Sequence, residues 1–415
     1  MTGDLRPYPE YKDSGLPWLG RVPAHWDVRR LKWVCRLAYG DSLAADARKH
    51  GQIPVYGSNG PVGYHDQANT RGPCVIVGRK GSFGKVRFCH NPVFAIDTTY
   101  FVDDRSTSSY VPWLYYVLSW VRLDDTSRDS AIPGLDRYEA YMRVLPVPPP
   151  EEQKAIADFL DHHGQAVRRF IRNRRRLIEV LNEQKQAIIN RAVTRGLNPN
   201  APLKPSGIDW LGDIPAHWEV VALRHLACKF RSGVTPRGGA AVYQEFGVPF
   251  LRSQNIHFDG LRLDSVARIS RELHESLSAT HVQPNDVLLN ITGASIGRVC
   301  TVPENLIEGN VNQHVCIIRP HRNRIRAAFL AAYLSTGFMQ HEIYVAQNGA
   351  SREGLALDAI RAFKILVPPL EEQERILESI TASTSGLIAA CARAEREIDL
   401  IREYRTRLIA DVVTG

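Results

Sequence analysis

At 415 residues the chain exceeds what one hydrophobic core usually serves, so two or more domains of about 150 residues each are expected. Hydrophobic residues make up 44% and charged residues 23%, which argues against a disordered chain. No run approaches the roughly 18 apolar residues of a spanning helix, which excludes an integral membrane protein. A net charge of +8 favours a polyanionic partner or an anionic surface without saying which.

Seven cysteines are scattered without a C-x-x-C pair, and the N-terminus has no secretory signal, so free thiols in a reducing cytoplasm are expected. Along the chain, the first distinctive stretch is Trp18-Leu19-Gly20-Arg21-Val22-Pro23-Ala24-His25-Trp26. From Val34 to Pro146 short β-rich runs alternate with glycine, which predicts an α+β or mostly β domain. Within it, Val75-Ile76-Val77 followed by Gly78 to Val86 reads as a strand, a basic glycine-containing turn and a return strand. Tyr110 to Arg122 is compatible with a helix on that sheet, and Gly134-Leu135 follows.

Val147-Pro148-Pro149-Pro150-Glu151-Glu152-Gln153 then opens a long helix reaching about Arg195. Proline at its entry and paired glutamates in its first turn suit the N-terminal end of the helix dipole. Ile156, Phe159, Leu160, Val167, Phe170, Leu177, Val180, Leu181 and Ile188 follow three-and-four spacing, the pattern of a helix that packs along one stripe.

The whole order then recurs. Trp210-Leu211-Gly212-Asp213-Ile214-Pro215-Ala216-His217-Trp218 repeats the first motif 192 residues on. Gly354-Leu355 and Val367-Pro368-Pro369-Leu370-Glu371-Glu372-Gln373 repeat theirs 220 residues on, and a second long apolar-striped run ends at Gly415. Two offsets mean that the variable part of each unit lies between its two fixed parts. The helices are expected to pair with each other. Antiparallel pairing would place the domains at opposite ends of a rod and let the C-terminus return near the N-terminus, giving a circular, pseudo-two-fold arrangement. The expected segments are a first globular domain over 1–146, a long helix over 147–196, a second globular domain over 197–366 and a long helix over 367–415.

A search for catalytic apparatus finds little. There is no phosphate loop of the G-x-x-x-x-G-K-[ST] type, no Asn-Pro-Pro-Tyr methylation tetrapeptide and no common nuclease pattern. Gly78 to Gly84 lacks the strand-to-helix context of a dinucleotide site. The histidines lack metal-ligand spacing, and His25 and His217, repeated in Pro-Ala-His-Trp, are expected to be structural. Arg168, Arg169, Arg172, Arg174, Arg175 and Arg176 form a basic patch on the first long helix that fits either a solvated face with counter-charges on a partner or a phosphate contact.

Polar residues on the glycine turns are the better candidates for DNA contacts. Arg79, Lys80, Ser82 and Lys85 in the first domain have the chemistry for base edges and phosphates. So do Arg252, Gln254, Asn255, Thr292, Ser295 and Arg298 in the second, with Asn312, Gln313 and His314 as a further polar cluster.

The paired Trp-Leu-Gly to Pro-Ala-His-Trp motifs, the paired Pro-Pro-x-Glu-Glu-Gln entries and the Gly-Leu pairs resemble the DNA specificity subunits of type I restriction-modification enzymes, over essentially the whole chain. The resemblance implies an α+β fold with two target-recognition domains alternating with two long helices in an antiparallel coiled coil. It also implies that each domain recognises half of a split, asymmetric double-stranded DNA target, with the helices as spacer. Two modification subunits would dock on the helices and restriction subunits would join them. No cofactor is expected in this chain: S-adenosylmethionine, ATP and Mg2+ would serve the partners. The competing readings are a stand-alone nuclease or methylase with an unrecognised site, and a scaffold that does not bind DNA.

Overall fold

The computed structural model describes residues 7–125, 134–208, 211–348 and 354–415, so Trp210 of the second Trp motif lies outside the described residues. The chain divides into two compact units, Met1–Arg175 with Glu395–Gly415, and Arg176–Ala394.

Both long helices form where their entry signals predict. The first, Pro150–Arg195, has 46 residues, with Glu151 and Glu152 in its opening turn. The second, Leu370–Thr414, has 45, with Glu371 and Glu372 in the same place. The first stops at Gly196, whose φ of 69° lies in the left-handed region, where a side chain would be strained.

In the first unit a four-stranded antiparallel sheet is ordered Ala38–Tyr39, Thr99–Val102, Cys74–Gly78, Val86–Cys89. The strand Cys74–Gly78 is buried throughout because it is the inner member of the predicted hairpin. A three-stranded sheet joins Gly60–His65 to Ile53–Gly57, which pairs in parallel with Phe94–Ala95. The helix Val111–Trp120 turns Trp113, Leu114, Val117 and Leu118 into a core shared with Trp26, Leu31, Val75 and Val77. That core also takes Ile156 and Leu160 from the first long helix and Leu408, Val412 and Val413 from the second. Arg174 meets Glu397 at 2.6 Å, so within this unit one helix segment ascends as the other descends.

The second unit repeats this topology with different residues. Its four-stranded sheet runs Ala227–Ser232, Val315–Pro320, Val287–Asn290, Val299–Thr301, and its three-stranded sheet again has a parallel pair, Val248–Leu251 with Asn310–Val311. Phe329, Leu330, Tyr333 and Leu334 from the helix Ala327–Leu334 fill the core, which is closed by Ala192 and Val193 of the first long helix and Ile376 and Ile380 of the second. The shared strand order confirms a duplicated α+β fold.

The apolar stripe is not buried along its whole length. Ile156, Leu160, Val167 and Leu408 are buried, whereas Leu177, Val180 and Leu400 remain exposed at 38%, 42% and 65%. The stripe therefore exceeds the face that this chain covers.

Candidate nucleic-acid interface

The two glycine turns sit at the same place in the two units. In the first, the turn joining Cys74–Gly78 to Val86–Cys89 is closed by Gly78 N–H on Lys85 O at 2.8 Å and Gly84 N–H on Gly78 O at 2.9 Å. Gly84, at φ 72°, would bring a Cβ within 2.3 Å of the Asp124 nitrogen, so the turn docks only as glycine. Lys80 and Lys85 are exposed and Arg79 and Ser82 half-buried. Ser82 Oγ donates to Asn59 Oδ1 at 3.4 Å, and Arg87 Nη2 donates to Asn59 O at 2.7 Å. The hairpin turn and the Ser58-Asn59 turn thus form one surface.

In the second unit the corresponding turn follows Asn290, whose N–H donates to Arg298 O at 2.8 Å. Asn290 Nδ2 donates to Ser295 Oγ at 3.0 Å within the turn and to Ser253 O at 2.9 Å on the neighbouring one. Ser295 and Arg298 therefore share a surface with Arg252 and Gln254. Arg252 lies 5.4 Å over the Tyr243 ring. Thr292 is bonded to His314 Nδ1, Gln313 Nε2 stands 2.9 Å from His314 Nε2, and Gln313 Oε1 accepts from Thr235.

Two residues of the predicted set build turns instead of presenting their polar atoms. Asn255 is 1% exposed, with Oδ1 accepting from Arg252 N–H at 2.9 Å and Nδ2 donating to Arg262 O at 2.8 Å. Asn312 is buried and its Oδ1 accepts from His314 N–H at 3.2 Å.

Several members of these surfaces escaped the sequence reading. Asn59 was legible as the turn residue of Gly57-Ser58-Asn59-Gly60. Tyr39, whose ring lies under the Arg79 and Arg137 guanidiniums, Arg137 itself, and Thr235 carried no local signal, because only the fold brings them to the turns.

The Gly-Leu pairs anchor the hairpins: Leu135 N–H donates to Arg79 O and Leu355 N–H to Ile291 O, both at 2.8 Å. The repeated helix entry has two tasks. Its glutamine stitches the long helix to the domain helix, since Gln153 Oε1 accepts from Tyr110 N–H and Gln373 Oε1 from Arg326 N–H, each at 2.8 Å. Their amide nitrogens donate back to Pro148 O at 2.9 Å and Pro368 O at 2.8 Å.

The second glutamate of each entry clasps the Pro-Ala-His-Trp motif. Glu152 lies 2.6 Å from His25 Nε2 and accepts from Trp26 Nε1 at 2.9 Å and Tyr8 Oη at 3.0 Å. Glu372 lies 2.7 Å from His217 Nε2. His25 and His217 are thus hydrogen-bonded structural residues.

Burial works to raise the Glu152 pKa, but the donors Trp26, His25 and Tyr8 outweigh it and hold the carboxyl below its usual range. A depressed carboxylate stabilises the fold above its unfolded pKa, and that stabilisation is lost as pH falls through the folded value. The melting gap between wild type and Glu152→Gln is therefore expected to be widest at neutral pH and to narrow as pH falls below the ordinary carboxylate range. Thermal melts across that range test this, and a gap independent of pH counts against it.

The arginine patch divides. Arg174 is paired with Glu397 at 2.6 Å and Arg176 with Glu179 at 3.0 Å, while Arg168, Arg169, Arg172 and Arg175 are exposed. Among the described residues no group of three or more His, Cys, Asp or Glu is placed to hold a metal ion, and no helix is long and apolar enough to cross a membrane. All seven cysteines are free, five of them buried.

Each unit is thus a copy of one α+β domain that carries a polar double turn and is closed by segments of two long helices. The chain belongs to the family described as type I restriction modification DNA specificity domain, whose model matches residues 23–180 and 215–397. It is 25% identical over 315 residues to the type I restriction enzyme EcoBI specificity subunit of Escherichia coli, covering 74% of this chain and 65% of that protein. It is 22% identical over 442 aligned positions to the type I restriction enzyme MjaIX specificity subunit of Methanocaldococcus jannaschii, covering 98% and 96%. Against two of the curated relatives it matches, the chain spans only 58% and 65% of their length. A chain from a solved structure described as the structural basis of complex assembly and conformational transition of the type I R-M system shares the fold, with TM-score 0.64, 16% identity and coverage of 95% and 99%.

Proposed function

We propose that this chain is the DNA-recognition subunit of a type I restriction-modification complex and does no chemistry itself. Each globular domain, 1–146 and 197–366, reads one half of a bipartite duplex target. The helical segments, 147–196 and 367–415, set the spacing and dock two modification subunits, and restriction subunits join that assembly in the cytoplasm. Methyl transfer from S-adenosylmethionine and ATP- and Mg2+-dependent steps belong to those partners.

The observation that carries the proposal is one scaffold built twice with different side chains on the same double turn. Arg79, Lys80, Ser82 and Lys85 face the first unit's turn surface, and Arg252, Gln254, Thr292, Ser295, Arg298 and Gln313 the second's. Equal scaffolds with unequal surfaces suit two independent half-site readings. Exposed Leu177, Val180 and Leu400 on the long helices suit a protein partner there.

Methylome sequencing of cells carrying this chain with the modification subunit of its system is expected to give one split, asymmetric motif. Purified chain that cuts or methylates DNA alone would favour a stand-alone enzyme. Unchanged specificity after exchange of either globular domain would favour a scaffold.

Lys80 and Lys85 have no carboxylate partner among the described residues and suit phosphate contacts. Converting both to alanine is expected to weaken binding about equally on all sequences and to reduce the slope of log K against log salt by roughly two. Salt titrations on specific and non-specific duplexes measure this, and weakening confined to one sequence would rule it out.

A further inference from the structure

Two arginines and two tyrosines meet beside the first unit's hairpin, whereas in the second unit a single arginine, Arg361 on the helix after Gly354-Leu355, lies 5.6 Å over the Phe230 ring of the matching strand. The Arg79 guanidinium lies 4.9 Å from the Tyr39 ring centroid and 6.0 Å from that of Tyr100, and the Arg137 guanidinium lies 4.6 Å from that of Tyr39. Neither arginine is ion-paired with a carboxylate among the described residues. Tyr39 is 46% exposed, so the stack opens to solvent.

Arg79 is held at every level. Its N–H donates to Thr98 O and its carbonyl accepts from Leu135 N–H, both at 2.8 Å. Its Nη1 donates to Asp97 O at 2.8 Å, which fixes the rotation of the guanidinium on the ring. The Nε and Nη2 edge is left without a protein acceptor among the described residues.

Such rigidity distinguishes two uses of positive charge on one turn. Lys80 and Lys85 are exposed and unpaired, enough for phosphates, which need charge but no fixed plane. An arginine fork whose plane is set in advance loses little freedom on binding and suits a planar partner with two acceptors side by side. In the major groove, the O6 and N7 edge of guanine offers that pair.

Resting on the proposed DNA-recognition function, we propose that Arg79 reads a guanine in the half-site of the first unit, with Tyr39 as its positioning residue and Arg137 closing the stack. The second unit carries Ile291, 6% exposed, where its hairpin accepts from Leu355 as Arg79 accepts from Leu135. Its half-site is not read by an arginine at that place.

The test uses the full-length chain assembled with its modification subunits and a set of duplexes carrying every single-base change in the wild-type target. Arg79→Gln and Arg79→Lys are each expected to lower the preference for G·C at one position of one half-site by about 10-fold to 100-fold, leaving every other position unchanged. Tyr39→Leu keeps both positive charges and is expected to relax the same position. Uniform weakening across all duplexes by Arg79→Gln, or intact discrimination in Arg79→Lys and Tyr39→Leu, would overturn the guanine reading while leaving the proposed function standing. A wild-type complex without sequence preference would overturn both.

Discussion

Trp26→Ala is expected to lower the stability of the first unit by about 3–5 kcal/mol, the usual cost of emptying a buried aromatic site. Trp26 is fully buried and shares its cluster with Leu31, Ile156 and Val413, so it joins the N-terminal segment to both long-helix segments of that unit. The chain end takes part as well, since a Cβ on Gly415 would stand 3.5 Å from the indole and 2.2 Å from Pro23. Calorimetry should show unfolding of the first unit moving down by roughly 2–4 °C per kcal/mol lost.

Phenylalanine at Trp26 and at its repeat counterpart Trp218 separates packing from hydrogen bonding. Trp26 Nε1 donates to Glu152, whereas the buried Trp218 Nε1 has no partner among the described residues. Both changes leave a similar small cavity. Only Trp26→Phe also breaks a hydrogen bond to a charged acceptor, while Trp218→Phe removes a buried donor without a partner. Trp26→Phe should therefore cost more than Trp218→Phe by about 1–3 kcal/mol. Equal losses would remove the clasp from the account of the repeated motif.

The long helices were legible because their signals are local: proline, paired glutamates, then a three-and-four stripe. The glycine hairpins were legible for the same reason, an apolar run ending at a turn. The strand order was not, because Thr99–Val102 pairs with Cys74–Gly78 and Ala38–Tyr39 across long stretches of intervening chain. Repetition marked Glu152 and His25 as sharing a task, but 127 residues separate them and nothing local says that they touch. Asn255 and Gln254 are neighbours of similar chemistry, and burial alone makes one a turn builder and leaves the other at the surface. Charge pattern likewise did not separate Arg174, paired with Glu397, from exposed Arg172 and Arg175. Local grammar carried the scaffold, and three-dimensional neighbourhood decided which polar atoms remained available.

A four-residue helical insertion between Arg176 and Asn190 is expected to change the spacing between half-sites while leaving the bases of each half unchanged. At about 1.5 Å per residue the insertion lengthens the first long helix by about 6 Å, close to two base-pair steps of about 3.4 Å. Spacing on duplex DNA is also phase, because each added base pair turns the second half-site about the axis by roughly a tenth of a turn. A helix that sets spacing must therefore satisfy distance and rotation together, and only whole base-pair changes meet both. The turn surfaces lie on the sheets, at Gly78–Lys85 and after Asn290, so the insertion removes no residue proposed to contact a base. Methylome sequencing of the insertion variant with its modification partner measures spacing and base identity at once. Unchanged spacing would count against the helices as ruler, and altered bases within either half would mean that the helix acts through the fold of the unit that reads that half.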